Sequence, residues 1–140
     1  MMRADIVKSI QGLLRATGVF STVCGIGSDK PTYPLVRAWA NGCPQKNIEN
    51  TPQAMIDLRV AVQIETHPVV DQDGNSDETA LYDLVDRAFK ALHDAKLPGK
   101  GSLPLIVYDH PGLSAYEQSK PLVYLLQVSI RVVPEAFSIS

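Results

Sequence analysis

The stretch Met55–Glu65, "MIDLRVAVQIE", decides how this chain folds. Ile56, Leu58, Val60, Val62 and Ile64 fall on alternate positions, and Asp57, Arg59, Gln63 and Glu65 fill the gaps. A period of two places the first set on one face of a strand and the second on the other. A strand with one apolar and one polar face belongs to a sheet covered on one side.

A second alternating run occurs at Leu122–Val133, "LVYLLQVSIRVV". Leu122, Tyr124, Leu126, Val128, Ile130 and Val132 are directed to the core, and Gln127, Ser129 and Arg131 away from it. Pro121 and Pro134 bracket it. At ~3.3 Å per residue such a strand extends to nearly ~40 Å, about twice the common length. Tyr33–Ala40, "YPLVRAWA", reads as another strand, with Pro34 suited to its start or to an edge. Val19–Cys24 and Leu103–Tyr108 read as shorter ones.

Two segments carry helical periodicity instead. In Arg3–Thr17, Ile6, Ile10, Leu13 and Leu14 share a face, and Gly18 is a natural stop. In Asp77–Ala95, Leu81, Leu84, Val85, Ala88, Phe89 and Leu92 form one apolar stripe. The order is α-β-β-β-α-β-β. It predicts an α+β fold, a mainly antiparallel sheet with both helices packed on one face. The 140 residues suit one domain, residues 1–140, around one core.

Composition is that of an ordinary globular protein, 45% hydrophobic and 20% charged. Net charge is −2 and the bases are scattered, which argues against a duplex-binding surface built on phosphate neutralisation. No apolar run reaches the ~20 residues of a membrane span. The opening "MMRADIVKSIQGLL" lacks the apolar centre of a signal peptide, so a cytoplasmic protein is expected. In that compartment Cys24 and Cys43 are expected as free thiols.

Candidate chemistry is sparse. Asp71, Asp73, Asn75 and Asp77 repeat like the ligands of a calcium loop. Counted from Asp71, however, the sixth position is Ser76 and the twelfth Tyr82, where an EF-hand needs glycine and glutamate. The same residues read better as a turn and helix cap, with Asn75 and Glu78 at capping-box spacing. Asp109, His110 and Ser114 are hydrolase residue types without a nucleophile elbow. "PGKGS", Pro98–Ser102, lacks the phosphate-loop pattern. His67 and His93 have no metal spacing. Trp39, with Tyr33, reads as core or as an interface anchor.

Taken together, several segments resemble the tail terminator proteins of long-tailed bacteriophages and prophages. They are the opening helix with "TGVF", then "YPLVRAW", "MIDLRVAVQIE", "ALYDLVDRAFKAL" and "KPLVYLLQVSIRVV". The resemblance spans most of the chain and lies in element order and size. It implies a structural protein, not an enzyme, with no catalytic residue, metal or cofactor. It implies a homo-hexameric ring that caps the head-proximal end of the tail tube and ends its polymerisation. Such a ring offers a surface for head–tail joining. Its partners are the tail-tube protein and the neck or connector proteins, with DNA only passing through the lumen and no membrane involved. The setting is the host cytoplasm during assembly, then the virion tail.

Two long polar connections, Asn41–Gln53 and Asp109–Pro121, suit contacts made on assembly. Lys46, Asn50, Tyr116 and Glu117 are the candidate interface residues within them, and Arg59 and Arg131 those on the polar strand faces. A head–tail connector or another tail component stands as the alternative. A small ligand-binding or hydrolytic domain, or a plain adaptor, is the reading from other classes.

Overall fold

The computed structural model describes residues 3–27, 32–42, 56–67, 69–70, 72–74, 76–97, 104–109 and 122–132. Their elements are α1 (Arg3–Ala16), β1 (Thr22–Cys24), β2 (Leu35–Ala40), β3 (Ile56–Thr66), β4 (Val69–Val70), β5 (Ser76–Asp77), α2 (Thr79–Leu92), β6 (Ile106–Asp109) and β7 (Leu122–Val132). Five strands form one sheet in the order β1-β2-β3-β7-β6, and β4 and β5 form a separate hairpin. The α+β architecture expected from the alternation and periodicity is present.

The two alternating runs are neighbours at the centre of the sheet. β3 and β7 pair antiparallel along eleven residues, from Ile56↔Val132 to Thr66↔Leu122. This register puts Leu58 beside Ile130, Val60 beside Val128 and Val62 beside Leu126. All six are fully buried. A slip of one residue would turn each apolar set to the opposite face, so burial itself fixes the register. β2 lies antiparallel on the other side of β3, with Val36 against Ile64 and Ala38 against Val62. Only β1 is parallel to its neighbour, Thr22↔Leu35 to Cys24↔Arg37.

Both helices cover the same face. Ile6, Ile10 and Leu14 of α1 and Leu81, Leu84, Val85, Ala88 and Leu92 of α2 join the apolar strand residues in one core cluster. Each fully buried Leu or Ile contributes about 1.5–3 kcal/mol relative to exposure. Gln11 donates from α1 to the Ala38 carbonyl of β2 at 3.1 Å. Gly18 ends α1 with φ +72°, the left-handed conformation that glycine adopts most readily.

The region before α2 differs from its expectation. No capping box forms: the N-cap is Glu78, without a side-chain cap hydrogen bond. Ser76 and Asp77 instead pair with Val70 and Val69 in a hairpin, and Gly74 takes φ +82° in its turn. The Asp-Gly signal serves a strand reversal, which consumes the residues expected to begin the helix. Asp71 and Asn75 lie outside the described residues. α2 therefore begins at Thr79, two residues later than expected.

Phe89 also departs from the expected stripe, remaining 38% exposed at its margin while Leu92 is fully buried. Phe89 stacks on His93 at 4.8 Å between ring centroids. The Nδ1 of His93 accepts the Val107 backbone N–H at 3.2 Å, joining the end of α2 to β6. Asp94 N–H donates to the Leu105 carbonyl and Leu105 N–H to that of Ala95, so the turn after α2 is tied to the strand at two further points.

Candidate functional site

The sheet face opposite the helices is the candidate site. The cross-strand registers assemble it from Cys24 of β1, Arg37 and Trp39 of β2, the odd-numbered residues of β3, Gln127, Ser129 and Arg131 of β7, and Ile106 and Tyr108 of β6. It is polar along its centre, as the alternation predicts, and its charges are largely satisfied internally.

Arg37 Nε donates to Glu65 Oε2 at 2.7 Å, a pair whose side chains are only 17% and 9% exposed. The hydrogen bond to Glu65 raises the Arg37 pKa above its ordinary value, outweighing the opposing effect of burial. The same guanidinium donates through Nη1 to the Ile26 carbonyl at 3.0 Å and lies 3.9 Å from Cys24 Sγ. Cys24 is a half-buried free thiol. One arginine thus fastens β1, β2, β3 and the turn beyond β1.

Along β3 and β7, Asp57 accepts from the Ser129 hydroxyl and pairs with Arg59 at 3.8 Å. Arg131 lies directly opposite Asp57 in the register and is exposed. Asn41 donates to Gln127 Oε1 at 3.1 Å. Two buried donors on this face, Arg59 Nε and Gln127 Nε2, have no hydrogen-bond partner. Trp39 is half-buried opposite Ala61. Tyr33 lies ahead of β2 and meets His67 edge-on at 4.2 Å between centroids.

Of the sequence-predicted interface residues, Arg59 and Arg131 are on this face. Lys46, Asn50, Tyr116 and Glu117 lie outside the described residues, as do Cys43, His110, Ser114 and the Pro98–Ser102 stretch. Burial raises the Tyr124 pKa, and the nearby Asp109 carboxylate raises it further. Among the described residues, no three His, Cys, Asp or Glu side chains are grouped to hold a metal ion. No described helix is long and apolar enough to cross a membrane.

The Arg37–Glu65 pair escaped the sequence reading. Its signal was the outward phase of Arg37 in "LVRAW", which places it on the same face as Glu65 once β2 and β3 pair. The His93 acceptor carried no sequence signal, because a bond to a distant backbone amide leaves no periodicity. The chain matches no protein-family model, and no curated protein is significantly similar to it.

Proposed function

We propose that this chain is a structural protein of phage tail assembly, a ring-forming terminator at the head-proximal end of the tail tube. The observation that carries the reading is the outer face of the β3–β7 pair. It carries two eleven-residue strands on which no described helix packs; two of its arginines are answered by carboxylates, and Ala61, Glu65, Gln127 and Ser129 within it are buried. Arg37 answers Glu65, and Arg59 answers Asp57. Mixed rather than basic charge on this face is compatible with a channel that conducts DNA, because a strongly basic lining would retain the phosphates. The resemblance in element order supports the same reading.

A ring requires heterologous contacts that close, and a terminator differs from a tube subunit in that its rings do not stack without limit. The purified protein should stop at a single ring, alone or on the end of a tail tube. Removing its gene from the phage or prophage that encodes it should give filled heads beside separate, overlong tails. Normal virions from that mutant would overturn the proposal. Open tubes of the pure protein would favour a tail-tube subunit instead.

A further inference from the structure

The two edges of the sheet differ in character. The β6 edge is flanked by α2: Tyr82 and Phe89 of the helix are 48% and 38% exposed, and Ile106 and Tyr108, on the other face of this edge strand, are 46% and 37% exposed. Among the described residues these are four of the five exposed large hydrophobic side chains; the fifth, Ile26, is 75% exposed and follows β1 at the opposite edge. Tyr82 also meets Tyr124 edge-on at 6.5 Å between centroids. Helical spacing puts Glu78, Tyr82, Asp86, Phe89 and His93 along one side of α2, the side that touches β6 and β7 through His93 and Tyr82. Glu78, Asp86 and Asp109 make this flank acidic against Lys90.

The β1 edge is flanked by α1 and has the opposite charge. Lys8 and Arg15 are exposed on α1, with Arg3 at its start, against Asp5. Arg15 reaches down to the Val23 carbonyl of β1 at 3.4 Å, which fixes the side of the helix it occupies. Ile26 follows β1 and is exposed, its carbonyl held by Arg37 from the face opposite the helices.

The geometry points to a head-to-tail contact between copies of this chain, in which the acidic, aromatic β6–α2 flank of one copy receives the basic β1–α1 flank and Ile26 of the next. This rests on the ring reading and names its interface. Opposite charge on opposite edges suits a heterologous contact, since each copy then offers one flank of each kind and none that complements itself. The contact runs through side chains. Each edge strand already has a backbone group engaged by its own helix or the turn after it, Val23 O by Arg15 and Val107 N–H by His93. Edges occupied in this way resist addition of a further strand.

The experiment uses the full chain and two variants, each damaged on one flank. Asp86→Lys alters the acidic flank. Ile26→Asp with Lys8→Glu alters the basic one. All three substituted positions are exposed, and circular dichroism with a thermal melt checks that each variant keeps its fold. Sedimentation velocity should show wild type assembling, with association weakened at higher salt. Each variant alone should associate at least about tenfold more weakly. Mixed together, the variants should associate again, because the intact acidic flank of one still meets the intact basic flank of the other. If wild type assembles and the folded variants assemble equally well, this interface is refuted and the ring reading survives. If wild type stays monomeric at its solubility limit, self-association through these flanks is refuted, and capping of added tail tubes tests the ring reading separately.

Discussion

Replacing Arg37 by methionine removes the charge that answers Glu65 while keeping much of the side chain's length. The Glu65 side chain is 9% exposed, so its carboxylate would be left largely desolvated without a cationic partner. Breaking a buried pair from one side costs about 3–5 kcal/mol. Arg37 is 17% exposed, so water would reach part of the site, and about 2–4 kcal/mol is the expected loss. For 140 residues this lowers the melting temperature by roughly 7–14 °C.

A double variant separates an electrostatic cause from a packing one, with stability read by urea denaturation. Adding Glu65→Leu to Arg37→Met should recover part of the loss, because it removes the orphaned charge. A single variant within ~0.5 kcal/mol of wild type would refute the reasoning, as would a double variant no more stable than the single one.

Three other outcomes are expected. Leu92→Ala should destabilise by about 2–5 kcal/mol in chemical denaturation, and Phe89→Ala by clearly less, since Phe89 is partly exposed; equal losses would place Phe89 in the core. Above pH 10 the fold should lose stability as Tyr124 ionises, because its folded pKa is raised above the ordinary 10.0 and its contribution is complete below that value. Tyr124→Phe should flatten this alkaline loss, measured by denaturation across the range, and an unchanged profile would assign it to other groups. Calcium titration calorimetry should show no binding in the micromolar range, since the sequence lacks the closing glutamate of a calcium loop; a micromolar dissociation constant would overturn this.

What the sequence reveals depends on how many residues carry each pattern. β3 and β7 are legible because eleven residues of alternation leave one phase consistent with burial. α1 is legible for the same reason, with Ile6, Ile10 and Leu14 where periodicity places them. β1, at three residues, has too little pattern to announce that it runs parallel to β2. The "DGN" signal is sound turn chemistry, but it fits a hairpin and a helix start alike, and the pairing of Val69–Val70 with Ser76–Asp77 decides between them. Phe89 belongs to the apolar stripe by spacing, yet it stands 38% exposed and stacks on His93, and periodicity knows nothing of where the opposing layer ends. The candidate site was legible as a polar face but not as a set of pairs, because Arg37 and Glu65 are brought together only by the β2–β3 register.

The position of β7 beside β3 has a consequence during synthesis. β3 presents a long row of unpaired backbone groups, and its partner is made only after residues 67–121. At ~5–20 residues per second that interval lasts several seconds. For that time the ribosome-bound chain holds α1, β1, β2 and β3 with one side of its longest completed strand open. An unpaired apolar strand is the kind of surface that chaperones shield and that neighbouring nascent chains can capture. Expression should therefore be more sensitive to elongation rate between β3 and β7 than elsewhere: rare codons there would prolong the exposure and lower the soluble yield.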